Sequence, residues 1–170
     1  MAIAGKRVLK FKVSSFRKIP NPYISSNNVG EKKPEMYVLI CDVKDIPEDI
    51  PMDTNPRKQN EKTRVARKIQ TSLTNHTERD FYLLNRGLLL SAKEISFNNE
   101  INEVTVLFED SSVHGDVDGG HTYEIIKKNR ASLERGEQFV KIEVLTGVED
   151  MFEQLASARN TSVQVPDASI

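Results

Sequence analysis

The feature that most restricts the fold is the segment VHGDVDGGHTYEII, Val113 to Ile126. Gly119 and Gly120 separate a short acidic stretch from a run that reads as a helix. Glycine tolerates backbone angles closed to other residues, so a strand can turn into a helix within a residue or two. The segment therefore predicts a strand, a tight turn and a helix start, with two histidines and two acids around the turn.

The rest of the chain supplies partners for that unit. KRVLKFKVSSFRKI alternates apolar and polar residues, Val8, Phe11 and Val13 among the apolar ones, and predicts a half-buried strand. Residues 20–35 are rich in turn-formers and charges and predict a surface loop. MYVLICDV is a β-rich apolar run, expected as an interior strand. KDIPEDIPMDTNP, with its prolines, leads in extended form to a helix start, where Asn55 suits the N-cap and Pro56 the first helical position. Val65, Ile69 and Leu73 follow at four-residue intervals as one apolar stripe. TERDFYLLNRG predicts a shorter helix closed by Gly87. GLLLSAKEISF and EVTVLFED read as strands joined by a hairpin through NNEIN. TYEIIKKNRASLERG reads as a helix with a glycine stop, FVKIEVLTG as a strand and EDMFEQLASARN as an amphipathic helix. This order predicts an α+β fold, a mixed α/β sheet with helices packed on it, in a single domain over residues 1–170.

Bulk properties remove several functional classes. The 170 residues carry a net charge of -1, so any case for nucleic acid must rest on a local patch. The single cysteine, Cys41, excludes an internal disulfide and a multi-cysteine zinc site, and its apolar neighbours predict a buried thiol. The N-terminus lacks a signal-peptide core and no run approaches the ~18 apolar residues of a membrane span, so the expected location is the cytoplasm. The chain stops at VQVPDASI just after a polar loop, which predicts the front part of a longer protein.

Two chemistries suit the glycine-pair segment. Asp116 and Asp118, alternate residues of an extended segment, would project to one side and are the candidate ligands for a divalent metal. A calcium loop does not fit: with Gly119 sixth, its first and twelfth positions would be His114 and Ile125. Phosphate is the other choice, because a helix start offers unpaired N–H groups and a partial positive charge, to which His121 or Thr122 could add a donor. Neither a P-loop nor G-x-G-x-x-G is present. In the plainest alternative Asp118 caps the helix and the glycines only turn the chain.

Other polar stretches add weight. Arg57, Lys58, Lys62, Arg64, Arg67 and Lys68 crowd one helix, with Arg64 and Lys68 four apart on one side. Asn85, Arg86 and Gly87 precede an apolar strand, and Asn160 and Thr161 close the last helix.

Taken in order, NPRKQN, FYLLNRGLLLSA, VDGGHTYEII and ARNTSVQVPD resemble the AIPR proteins, named for abortive phage infection. There an NPR…N segment, an F…NNGI…A segment, an IVNGGQT segment and an A…TNTQ.PV segment succeed one another. The likeness covers Asn55 to Asp167, about two-thirds of the chain. DGGHT is also similar to the DGQHR and DGQQR motifs of phosphorothioation-regulator and restriction-type domains. More distantly it resembles the G-x-H-R loop of ParB and sulfiredoxin, which implies a core of that kind.

Carried onto this chain, the resemblance marks Asn55, Arg57, Asn60, Asn85, Arg86, Gly87, Asp118, Gly119, Gly120, His121, Thr122, Asn160 and Thr161. It implies a nucleic-acid- or nucleotide-phosphate-binding domain of a bacterial phage-defence protein, with Arg64 and Lys68 adding charge. Thr122 stands where the DGQHR relatives place Arg, so the phosphate-gripping guanidinium would have to come from Arg57 or Arg86. The alternative is a metal-dependent nuclease or nucleotide hydrolase, with a divalent metal on Asp116 and Asp118 and acid–base work by Asp118 and His121. A non-catalytic interaction module is a third reading, and pairing with a second copy is left open by the sequence.

Overall fold

The computed structural model describes residues 6–23, 33–54 and 64–161. Strands β1 (Arg7–Lys12), β2 (Ser15–Ile19) and β3 (Glu35–Asp42) come first, then helices α1 (Arg64–Leu73) and α2 (Phe81–Leu84). Strands β4 (Leu88–Ala92), β5 (Glu94–Asn98), β6 (Glu103–Phe108) and β7 (Gly115–Asp118) lead into α3 (Gly120–Asn129), and β8 (Phe139–Thr146) and α4 (Phe152–Thr161) follow. The fold is α+β. One sheet has the order β2-β3-β8-β4-β7 and the other the order β1-β6-β5. Among the described residues, β4 and β8 run parallel and the other paired strands are antiparallel.

Two apolar runs divide where they pass from one sheet to the other. After β1, the amide of Val13 donates to Asn102 O beside the small sheet, while the next amide, Ser14, donates to Ile40 O of β3 in the large one. GLLLSAKEISF likewise is not one strand: β4 ends at Ala92, and the amide of Lys93 already donates to Leu107 O of β6. Phe16 of β2 and Phe97 of β5 stack at 4.7 Å between ring centroids, tying the sheets together. The β5–β6 hairpin is as expected, with Glu100 N donating to Asn98 Oδ1 in its turn.

Burial follows the pairing rather than the raw alternation. Leu9, Phe11 and Val13 are buried, whereas Val8, one residue out of step with them, is 51% exposed. The central β4 is buried at every position, as a strand covered on both faces should be. In α1 the buried residues are Ala66 and Leu73, with Ile69 partly covered, and Val65 is 50% exposed. The expected stripe is thus rotated toward Ala66 and Leu73, and α1 packs against α3. Cys41 is buried, and burial pushes its thiol pKa up. The expected helix start at Asn55 and Pro56 and most of the 20–35 loop lie outside the described residues.

Gly87 is not a helix cap. Helix α2 is one turn long and passes at Asn85 into extended backbone. Gly87 (φ +80°) instead lets the chain press on β8, where a Cβ would come within 2.1 Å of Lys141 O.

Candidate functional site

Strand β7 is short and pinned from several sides. On one side it pairs with β4. On the other, Asp116 N donates to Pro51 O at 2.8 Å, and Thr54 Oγ1 donates to Asp116 O at 2.6 Å. The proline-rich segment therefore borders the strand, bringing the chain to it just before Asn55. The register with β4 breaks: Leu90 faces Asp116 and Leu89 faces Asp118, leaving Val117 as an extra residue. Leu90 belongs to the main core, whereas Leu89 joins Val117 and Phe152 in a second cluster beneath α4. The bulge thus sets Asp116 and Asp118 across from side chains on opposite sheet faces, correcting the expectation that they share one side. Asp116 is 1% exposed. Among the described residues, no group of three or more His, Cys, Asp or Glu side chains could hold a metal ion.

The turn after β7 is made by Gly119, the N-cap of α3, at φ +92°. The N-cap position is thus held by Gly119, which has no side chain to cap with, and not by Asp118 as the plainest alternative expected. Gly119 closes on the Asn85–Gly87 turn, where a Cβ would come within 2.4 Å of Gly87 O. Asn85 Oδ1 accepts from Gly87 N at 2.7 Å and from Thr122 Oγ1 at 3.1 Å, joining the two motifs. Thr122 is buried, so its hydroxyl is an internal clasp rather than a ligand donor. Gly120 is buried as well, and His121 is half-buried in the first helical turn. The Arg86 side chain stays 58% exposed, with Nη2 at 3.8 Å from Asp118 Oδ2. A pair that long and that exposed contributes little to stability.

Asn160 reaches the same strand from the last helix. It is buried, and its Nδ2 donates to Val117 O at 3.1 Å and to Ala156 O at 2.7 Å. It is thus a clamp between α4 and the bulge, a role that its place near a helix end did not reveal. Thr161 is the last residue of α4. Three of the polar signatures therefore meet at the β7–α3 junction. The fourth, with Asn55, Arg57 and Asn60, lies outside the described residues.

Arg64 and Lys68 stand apart from the junction. With Arg67 they line a shallow hollow between α1 and α2, whose wall includes Leu84, the residue before Asn85. Their side chains point away from Ala66 and Leu73, outward from the core.

His114, which sequence reading grouped with metal-ligand types, holds structure instead. Its Nδ1 accepts from Glu109 N (3.1 Å) and Asp110 N (3.0 Å), and its Nε2 lies 2.7 Å from Glu149 Oε2. An Nδ1 that accepts two amides carries no proton, so Nε2 bears the hydrogen and donates to Glu149. Behind the helix, Tyr123 donates its hydroxyl to Pro47 O (2.7 Å) and accepts from Ile50 N (3.1 Å), and burial pushes its pKa up to about 12.

Fold and site together define an α+β protein whose scattered polar signatures gather on one strand–helix junction. The family model of AIPR protein matches residues 52–170, and the chain belongs to that family. Membership places it with proteins of abortive infection and phage defence. No curated protein and no solved structure gives a significant match. Among the described residues no helix is long and apolar enough to cross a membrane.

Proposed function

We propose that this AIPR protein binds nucleic acid, or a nucleotide phosphate, at the β7–α3 junction. The observation that carries the reading is the Asn85–Arg86–Gly87 turn. Its asparagine is spent internally on Thr122 and Gly87, its glycine is closed on Gly119, and its arginine is exposed near the glycine-started helix. A rigid loop that presents one guanidinium there suits a phosphate oxygen, since both its charge and the positive end of the helix dipole favour an anion. Arg64, Arg67 and Lys68 extend the positive surface past Leu84.

A metal-dependent nuclease or nucleotide hydrolase using Asp116, Asp118 and His121 has less support. The burial of Asp116 and the bulge between the two acids speak against it.

The test is fluorescence anisotropy with short labelled DNA and RNA oligonucleotides over a series of salt concentrations. Binding is expected at low salt and should weaken as salt rises. Arg86→Ala should weaken it by about tenfold and flatten the salt dependence by about one unit of slope. If neither DNA nor RNA binds at low salt, and neither raises the melting temperature, the reading is wrong.

A further inference from the structure

Helix α2 leaves three consecutive apolar side chains in solvent: Tyr82 at 36%, Leu83 at 69% and Leu84 at 71% exposure. Only Phe81 of this turn enters the core. A cluster of that kind is uncommon on a surface unless something covers it. Its neighbours narrow the choice. Leu84 shares the hollow of α1 with Arg64, Arg67 and Lys68, which fall at i, i+3 and i+4 and so occupy one helix face. Arg86 follows Leu84 by two residues, with its side chain exposed. Glu78 and Asp80 also line the hollow, which leaves anion contacts to the α1 cations and to Arg86.

Resting on the reading above, we infer that the site takes single-stranded rather than duplex nucleic acid, with phosphates on the α1 cations and Arg86 and unstacked bases on Tyr82, Leu83 and Leu84. An apolar shelf bordered by cations matches a strand that offers charge along its backbone and flat apolar faces from its bases. A duplex keeps those faces stacked inside and has no use for the two leucines. A membrane surface fits poorly, because one helical turn buries too little apolar area to anchor.

The experiment compares a single strand with the duplex of the same sequence, at equal salt, for the native chain, Leu83→Ser/Leu84→Ser and Arg86→Ala. Both leucines are exposed, so the double variant should fold, which circular dichroism and the melting temperature would check. The single strand is expected to bind at least about tenfold tighter than the duplex. The leucine variant should lose most of that preference while keeping the salt dependence, and Arg86→Ala should weaken both ligands alike. Equal binding of strand and duplex with normal salt dependence would overturn the single-strand inference and leave the phosphate reading standing. Absence of binding to either form would overturn both. A native dimer that becomes monomeric in the leucine variant by sedimentation, with nucleic-acid binding unchanged, would assign the shelf to a second copy of this chain and overturn the inference.

Discussion

Gly87 and Gly119 lie back to back: a Cβ on Gly119 would stand 2.4 Å from the carbonyl oxygen of Gly87. Both residues also hold left-handed backbone, at φ +80° and +92°. The contact joins two sequence motifs more than thirty residues apart, and it is what lets the Arg86 turn sit on the start of α3. Gly119→Ala is therefore expected to cost the left-handed penalty, about 1–2 kcal/mol, plus the displacement of the Gly87 carbonyl. Gly136 is the control, since it too has positive φ (+85°) but nothing within 4 Å of a Cβ. Urea titrations should find Gly119→Ala clearly worse than Gly136→Ala. Equal costs would mean that the junction yields freely.

Asn160→Ala should destabilise the protein by about 1–3 kcal/mol, because the buried carbonyl of Val117 loses its amide donor. Asn160→Asp should do no better, since a carboxylate cannot donate to Val117. Native-state hydrogen exchange would check the location, with β7 amides losing protection first. A variant that melts like the native chain would remove the clamp from the account.

Asp118→Asn is expected to tighten nucleic-acid binding modestly, about two- to fivefold, because it removes a negative charge next to Arg86 and the helix start. Anisotropy at low salt reads this directly. A loss of binding would instead make the carboxylate part of the binding chemistry and favour a metal-dependent reading.

The protonation pattern of His114 can be read by nitrogen NMR. Nδ1 should show the shift of a bare acceptor and Nε2 that of a protonated nitrogen, because two backbone amides point at Nδ1. The opposite tautomer would contradict the latch that joins the loop before β7 to Glu149.

Alkaline titration probes Tyr123. Burial raises its phenol from 10.0 to about 12, so below pH 10 both folded and unfolded chains are protonated and its contribution is intact. Between about pH 10 and 12 the unfolded chain gives up the proton first, and stability falls as pH rises. Tyr123→Phe should lack that part of the alkaline loss, and at neutral pH should cost about 1–3 kcal/mol by stranding Ile50 N–H. An unchanged alkaline profile in the variant would contradict this assignment.

Much of the architecture was legible in local patterns. The interior placement of MYVLICDV, the β5–β6 hairpin and the strand–turn–helix unit at Gly119 all follow from periodicity and turn chemistry. What escaped depends on partners distant in the chain. Nothing near Lys93 says that its amide pairs with Leu107 in another sheet, and nothing near Val117 says that β4 is one residue short against it. Gly87 reads locally as a helix stop, and only the approach of Lys141 gives its reason. The candidate site shows the same split. The motif residues were visible one by one, but the division between clasps, such as Thr122 and Asn160, and an exposed group such as Arg86 follows from burial alone.

The hand-overs at Val13–Ser14 and at Lys93 bear on how this protein comes apart. Each is a step of one residue, so fraying of the small sheet pulls at once on β2 and β4 of the large one, and slack cannot accumulate between them. Mechanical or thermal damage at Arg7 or Phe108 should therefore register at the β7–α3 junction as loosened backbone, long before the junction's own side chains are touched.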